Sequence, residues 1–180
     1  MMKKVLFILF LHLTNLTYCQ EIETRYKQEV KSLLNYIQLE FIRETNFNID
    51  QSAKLVKIED CKSTYESSMF NSSELEDIKK SIDKPKIVYW TKDFFPSSNI
   101  IESKKIQDAF KDEIDGWKKF RQIYGGGSIA EFSSPIFLRN YEIAIIRFSI
   151  TSGYLSGVGY EALFIKKGNV WEINACSWDN

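Results

Sequence analysis

Two different spacings of hydrophobic residues divide the chain. Over Glu21–Glu44 the hydrophobic side chains recur every three or four positions, as one buried face of a helix requires. Ser103–Tyr124 repeats this spacing and predicts a second long helix, with Gly116 as a candidate break. After the glycine triplet Gly125–Gly127 the period becomes two, which is typical of strands with one buried face. The pattern therefore predicts an α+β order, with helices first and a sheet after them.

Shorter elements are predicted between and after these helices. The hydrophobic runs Lys54–Asp60 and Ile87–Trp90 predict two short strands. Ser73 and Glu76 have the spacing of a capping box, so a short helix is expected to begin there and to end before Pro85. The later strand candidates are Ser128–Leu138, Glu142–Thr151, Tyr160–Lys166 and Val170–Trp178.

The links between the last three strand candidates predict their arrangement. Ser152–Gly159 connects the first two of them, and Lys167–Asn169 is expected to form a tight hairpin turn before the last. Consecutive strands with short links form an antiparallel meander. We therefore predict one α+β domain over residues 20–180, in which two long helices pack on an antiparallel sheet of about four to six strands.

The first 19 residues have the layout of an export signal. Two lysines precede the apolar run Val5–Leu16, which is shorter than the roughly 20 residues that span a bilayer as a helix. The residues before Gln20 suit a signal peptidase, so cleavage between Cys19 and Gln20 is predicted. Lipid attachment at Cys19 is the alternative, since a leucine stands three residues before it. We expect a periplasmic or secreted mature chain without a transmembrane segment.

Composition excludes several classes of function. The chain has 24 basic and 24 acidic residues, a balance that argues against a nucleic-acid binder. Its one histidine, His12, lies in the predicted signal. A mature chain without histidine has no Ser-His or Cys-His nucleophile and no histidine-ligated metal, and we predict neither metal nor cofactor. The carboxylates of the sheet half remain as acid–base candidates: Glu131, Glu142, Glu161 and Glu172.

Two cysteines, Cys61 and Cys176, lie beyond the predicted cleavage site. Export permits a disulfide between them, and an even number of cysteines is compatible with one. Such a long loop would contribute about 4–5 kcal/mol in the chain-entropy model. Two buried thiols that act as small hydrophobic side chains are the alternative.

The aromatic residues of the second half provide the candidate binding residues. Trp117 and Trp171 are expected to pack in the core between helix and sheet. Trp178 lies close to the end of the chain and Tyr154 in a turn flanked by glycine, so both are expected to be partly exposed. Together with Tyr124 they form a candidate surface for a protein or glycan partner.

A series of short motifs follows Gly116. It consists of Trp117-x-x-Phe120, Phe132-Ser133-x-Pro135-x-Phe137, Gly153-Tyr154-Leu155-x-Gly157-x-Gly159 and Lys167-Gly168-x-x-Trp171. Over about 65 residues this pattern resembles a group of small exported proteins of Bacteroidetes-type bacteria with no assigned role. The resemblance implies export and carries no catalytic residue. The order of a helix followed by a curved sheet is also similar to cystatin-like and NTF2-like folds.

These observations favour a non-catalytic binding protein with a protein or glycan partner at the cell envelope. One alternative is a carboxylate-dependent hydrolase of glycans that uses Glu131, Glu142 or Glu161. The other is an immunity or inhibitor protein, whose partner is a toxin or an enzyme.

The predicted processing can be read from the mass of the protein in its own host. We expect a denaturing intact mass, measured without reductant, that corresponds to residues 20–180, because cleavage is predicted before Gln20. A mass lower by two hydrogens would establish the Cys61–Cys176 disulfide, and the mass of the free thiols would establish the alternative. A mass that retains Cys19 and adds acyl chains would instead establish lipid attachment.

Overall fold

A computed structural model describes residues 2–43, 47–56, 69–111 and 115–179, with side chains described between residues 20 and 174 of these ranges. The α-helices within them are α1 (Met2–Ile37), α2 (Ser72–Asp83), α3 (Ser103–Ala109) and α4 (Gly116–Tyr124). The strands are β1 (Asn48–Asp50), β2 (Asn99–Ile101), β3 (Ile129–Phe132), β4 (Ile136–Leu138), β5 (Ile143–Gly153), β6 (Ser156–Lys167) and β7 (Val170–Asp179). The predicted α+β class is therefore confirmed.

Helix α1 is longer than its hydrophobic spacing predicts. It continues as a π-helical turn over Gln38–Ile42, and Arg43 ends it with a φ of 55°. Neither glycine nor proline separates the apolar leader from the amphipathic stretch, so nothing in the chain stops the helix between them. Residues 20–25 are exposed and Tyr26 is buried, so the helix joins the body of the protein at Tyr26. In the described part of the chain, no helix has both the length and the hydrophobicity needed to cross a membrane.

The strands form one mixed sheet in the order β2-β1-β3-β5-β6-β7, with β4 paired to the beginning of β5. β1 lies parallel to both of its neighbours, whereas all other pairings are antiparallel. The predicted meander is confirmed as β5-β6-β7, and Gly168 supplies the turn before β7 with a φ of 63°. The expectation of a purely antiparallel sheet is wrong, because the parallel strands β1 and β2 form at one edge.

One face of the sheet, called here the α1 face, is covered by α1. Six completely or almost completely buried residues join helix and strand in one cluster: Val30, Leu33 and Ile37 of α1, and Ala144, Ile146 and Phe148 of β5. Phe148 also stacks on Tyr160 of β6, with ring centroids 4.7 Å apart. Each large side chain buried in this way contributes about 1.5–3 kcal/mol, so this face holds the main core.

Among the described residues, helices cover the opposite face of the sheet at its two ends. At one end, Ile78 of α2 packs with Ile145 and Leu163. At the other end, α3 and α4 pack on the edge strands through a separate cluster: Ile101, Ala109, Trp117, Phe120 and Ile129. Side chains alternate along a strand, so Arg147 and Ser149 of β5 lie on this face between the two clusters.

The predicted second long helix is two short helices. α3 ends at Ala109, and the chain folds back so closely that a Cβ atom on Gly116 would lie 2.7 Å from Cδ1 of Phe110 and 2.9 Å from the hydroxyl of Tyr154. Glycine is required by this close approach, which confirms Gly116 as the break. The predicted end of the second helix is also confirmed, because Gly125 follows α4 with a φ of 66°.

The segment Ile87–Trp90 is not a strand. It makes one isolated bridge, between Tyr89 and Ser52. Trp90 is completely buried, and its indole Nε1 donates to the carbonyl oxygen of Phe132 at 3.1 Å. The hydrophobic run therefore reflects insertion of a tryptophan into the core and not the pairing of a strand.

Two more boundaries differ from prediction. The predicted strand Lys54–Asp60 is represented by an isolated bridge from Lys54 to Ser133, while residues 57–60 lie outside the described ranges. The regular strand, β1, comes earlier in the chain. The predicted strand Ser128–Leu138 is divided into β3 and β4, because Ser133-Ser134-Pro135 leaves the ladder and proline has no N–H to donate.

The capping box of α2 begins two residues earlier than predicted. The N–H of Glu74 donates to Oδ1 of Asn71 at 3.0 Å, and the N–H of Asn71 donates to Oε2 of Glu74 at 2.9 Å. Asparagine is as good an N-cap residue as serine, and the pattern predicted from Ser73 and Glu76 is not used.

A substitution in the main core tests the packing of α1 on the sheet. We expect Ile146→Ala to lower the free energy of unfolding by about 3 kcal/mol, because it opens a cavity at a completely buried position. Ile123→Ala is the control, since this isoleucine is 56% exposed and should change little. Urea unfolding followed by circular dichroism measures both, and equal losses would contradict the assignment of the main core.

Candidate functional site

In the described part of the chain, no helix covers the middle of the opposite face, and the surface there forms a cleft, called here the central cleft. Its floor holds Glu131 of β3 and Arg147 and Ser149 of β5, whereas Glu161 of β6 lies on the same face but is 3% exposed and lines neither depression. Glu131 is the register partner of Ser149, and Arg147 is the register partner of Glu161. Two adjoining depressions of about 380 and 480 Å³ share Arg147 and Ser149. Residues from three neighbouring strands therefore meet in one open site.

Lys54 links the floor of the cleft to the parallel edge of the sheet. Its Nζ lies 2.7 Å from Oδ2 of Asp50 and 2.9 Å from Oε1 of Glu131. Burial alone lowers the pKa of this ammonium group, but the hydrogen bonds to Asp50 and Glu131 outweigh burial and raise its pKa overall. The other oxygen of Glu131 accepts from the hydroxyl of Ser149 at 3.1 Å. Both oxygens of Glu131 therefore already accept from a donor within the protein.

Asp50 anchors this network from below. Its side chain is 4% exposed, and it accepts from Lys54, from the N–H of Ser52 at 3.0 Å and from the hydroxyl of Ser103. Ser103 is the first residue of α3, so the network also ties that helix to β1. A buried carboxylate with three donors is well solvated by the protein and has no oxygen directed at a ligand.

Glycines deepen the cleft toward the β5–β6 turn. Gly157 and Gly159 of β6 stand opposite Thr151 and Ser149, on the same face as Arg147. A Cβ atom on Gly157 would lie 3.2 Å from Oγ1 of Thr151. Because glycine has no side chain, the floor of the cleft is lower at these two positions than at neighbouring positions of the sheet.

Three large apolar side chains project at the ends of the cleft. Tyr154 is 56% exposed, Leu155 is fully exposed and Leu55 is 64% exposed. Tyr154 and Leu155 form a tight two-residue turn between paired Gly153 and Ser156, so the long predicted link Ser152–Gly159 is wrong. Glycine and serine in that link adopt extended structure instead, which places both exposed residues at the tip of a hairpin.

The three aromatic residues predicted to form a binding surface do not come together. Tyr154 lies at the cleft and is exposed, as predicted. Tyr124 is half-buried against Phe120, with ring centroids 5.1 Å apart, and belongs to the packing of α4. Trp178 pairs with Tyr160 through the backbone of β7, and its side chain lies outside the described part. The prediction that Trp117 and Trp171 pack in the core is confirmed.

Two of the four candidate carboxylates lie on the face that holds the cleft, and of these Glu131 lines the cleft whereas Glu161 is buried and does not. Glu131 and Glu161 share the opposite face with β5 between them, a spacing of about 10 Å between the outer strands. Glu142 is exposed after the short turn that follows β4. Glu172 is exposed and pairs with Lys167 at 2.6 Å. The expected cluster of acids is therefore limited to Glu131 and Glu161, and Glu131 is already engaged by Lys54.

The predicted disulfide and the processing site concern residues whose side chains are not described. Cys61 lies in the segment 57–68, outside the described ranges, and the backbone of Cys176 pairs with Ala162 in β7. Cys19 lies within α1, and the next residue of the same helix, Gln20, is exposed. The disulfide and the cleavage site stay predictions.

The sequence pattern pointed to Tyr154 and Glu131 but missed their companions. Lys54 and Arg147 were assigned only as strand positions, because Glu131, the partner of Lys54, and Glu161, the register partner of Arg147, lie in other strands. The exposure of Leu155 could have been predicted from the sequence, since a leucine between two glycine positions of a turn has no core to enter.

Comparisons of this chain with protein-family models, with curated proteins and with solved structures found no match. Among the described residues, no three histidine, cysteine or carboxylate side chains group in a way that would hold a metal ion. The function is therefore argued from the geometry of the cleft.

The role of Lys54 can be tested by stability measurements. We expect Lys54→Met to lower the free energy of unfolding at pH 7 by about 1–3 kcal/mol, because it leaves the buried Asp50 carboxylate without its cation. Since Lys54 is partly exposed to solvent, this loss is smaller than for a fully buried pair. Lys31→Met is the control, since its 2.6 Å pair with Asp93 is exposed on both sides and should contribute nothing measurable.

The pH dependence follows from the raised pKa of Lys54. The folded state binds this proton more tightly than the unfolded state, so the contribution is complete below the ordinary lysine pKa of about 10.4. It is lost as the pH rises through the higher pKa of the folded state. Urea unfolding at several pH values measures the difference in unfolding free energy between wild type and Lys54→Met. This difference should shrink only above that pH range, and a difference that vanishes near neutral pH would contradict the pairing.

Proposed function

We propose that this chain is an exported, non-catalytic binding protein that engages a protein partner at the cell envelope through the central cleft. The observation that carries the proposal is the hairpin tip at the end of the cleft. It presents Tyr154 and the fully exposed Leu155 beside Arg147. Tyrosine and arginine are enriched where protein partners bind most tightly.

The exposed rim supports a macromolecular partner. A fully exposed leucine at the tip of a hairpin gains nothing in the isolated chain, and it offers a side chain that can enter a pocket on another surface. Leu55 provides a second apolar anchor near the other depression. Two anchors on either side of a charged floor match the apolar centre and polar surroundings of protein interfaces.

The floor supports binding more than catalysis. Glu131 accepts from Lys54 and Ser149, and Asp50 accepts from three donors. A general acid must be within hydrogen-bond reach of the substrate, whereas both oxygens of Glu131 are occupied by Lys54 and Ser149. A carboxylate-dependent glycan hydrolase built on Glu131 and Glu161 is therefore the second candidate, favoured only by their shared face.

Two related proposals concern the kind of partner and the fold. An immunity or inhibitor protein is a special case of the same function, in which the partner is a toxin or an enzyme. The finer likeness to cystatin-like or NTF2-like folds is supported by α1 lying along one face of β5 and β6. Export and the periplasmic or secreted location rest on the N-terminal segment alone.

Photo-crosslinking in the host of origin tests the proposed surface. A benzophenone amino acid in place of Leu155 should give one dominant protein adduct, and the same probe in place of Leu75, which is 49% exposed on α2, should give none. Tyr154→Ala should reduce the adduct at least about fivefold, because it removes a central anchor. Leu39→Ala is the control, since this leucine is 65% exposed and lines neither depression of the cleft.

Three results would contradict the proposal. Equal labelling from positions 155 and 75 would show that the cleft has no dedicated partner. If the protein were retained on isolated cell-wall glycan and this retention depended on Tyr154, the ligand of the cleft would be a glycan and not a protein. Release of reducing ends from that glycan, lost in Glu131→Gln and Glu161→Gln, would establish the hydrolase.

A further inference from the structure

A second site, remote from the central cleft, lies where α1 enters the body of the protein. Two adjoining depressions meet there and share Tyr26 and Lys86. The first, of about 370 Å³, is called the polar pocket and lies between α2 and the connection from β4 to β5. The second, of about 450 Å³, is called the apolar groove and lies between α1 and residues 86–94. Both volumes fall in the range of small-molecule sites.

The apolar groove contains apolar side chains that are about half exposed. Ile22 is 44% exposed, Val88 is 54% exposed and Tyr89 is 60% exposed, and all three line the groove. They surround the half-buried Phe94. A contiguous apolar surface of this kind indicates a binding site more often than a chance exposure.

Lys86 places one uncompensated positive charge at the junction of the two depressions. The carboxylates that line them are engaged by other cations: Glu74 by Arg139 at 2.7 Å, Asp77 by Lys80 at 4.0 Å and Glu23 by Lys27 at 3.4 Å. The ammonium of Lys86 lies 4.5 Å from the ring centroid of Tyr26, and no carboxylate of the described residues pairs with it. The junction therefore attracts an anion.

The hydroxyl of Tyr26 adds a hydrogen-bond donor beside this charge. It lies 3.4 Å from both the hydroxyl of Ser134 and the carbonyl oxygen of Pro135, at the long limit for such bonds. Burial raises the pKa of Tyr26 to about 12, so the group keeps its proton. A stronger acceptor than either present partner would therefore gain a better hydrogen bond from it.

The far wall of the polar pocket has an uncommon backbone. Arg139, Asn140 and Tyr141 have φ values of 48°, 55° and 72°, and three successive non-glycine residues in the left-handed region are rare. Arg139 is fixed to Glu74, and the carbonyl oxygen of Asn140 accepts from Arg25 of α1 at 3.3 Å. Such strain is concentrated at ligand sites, where surrounding contacts hold it in place.

We propose that this site binds a single anionic amphiphile, such as a long-chain carboxylate, with its head group at Lys86 and Tyr26 and its chain along the apolar groove. The position of the uncompensated cation selects this ligand class, because it joins a polar pocket to an apolar groove. A neutral apolar ligand would leave Lys86 unused, and a small anion would leave Ile22 and Val88 exposed. The site is independent of the central cleft and does not rest on the function proposed there.

Calorimetric titration with sodium dodecanoate, below its micelle concentration, tests the proposal on the purified protein. We expect saturable binding of one dodecanoate per chain. Butanoate, with the same head group, and dodecyl maltoside, with the same chain but no charge, should each bind at least about tenfold more weakly. Binding of either compound as tight as that of dodecanoate would overturn the proposal.

Two exposed substitutions with matched controls separate head-group from chain contacts. Lys86→Met should weaken dodecanoate binding about tenfold, and Lys84→Met, two residues away and outside both depressions, should not. Val88→Ser should weaken it severalfold, whereas Val170→Ser, at a similarly exposed valine on β7, should not. Wild-type binding by both Lys86→Met and Val88→Ser would overturn the proposal. Recruitment to phosphatidylglycerol vesicles without dodecanoate binding would also overturn it, in favour of a membrane surface.

Discussion

Burial of one stripe of α1 against the centre of the sheet is the interaction on which the rest of this structure depends. Val30, Leu33 and Ile37 are completely buried where the helix crosses β5 and β6. The pairing commits one face of the sheet to hydrophobic residues, and it places the long strands β5 and β6 in register. No other helix in the described part of the chain reaches this face in the same cluster.

That division of the sheet permits charged residues on the opposite face. Because the α1 face supplies the main core, the middle of the other face does not have to be apolar, and the short helices of the described residues cover its ends. Lys54 can then pair with Asp50 and Glu131 on a part of the sheet that would otherwise have to be covered by apolar side chains. The central cleft is thus a consequence of how hydrophobic area is distributed between the two faces.

The two candidate sites use the same physical arrangement. In each, a charged group that the fold holds in position lies beside apolar side chains that the fold leaves exposed. In the central cleft these are Arg147 with Tyr154 and Leu155, and at the end of α1 they are Lys86 with Ile22 and Val88. The carboxylates near Lys86 are engaged by other basic residues, which gives that site a net attraction for anions.

The sequence by itself determined the features that depend on neighbours along the chain: the α+β class, the amphipathic stripe of α1, the β5-β6-β7 meander, the Gly168 turn and the exposure of Tyr154. These follow from periodicity and from local backbone freedom. Only the tertiary structure decided the parallel strands β1 and β2, the insertion of Trp90 into the core and the meeting of Lys54 with Glu131. Each of these joins residues tens of positions apart, and a pairing at that distance is selected by the packing of the whole sheet, which no local spacing encodes.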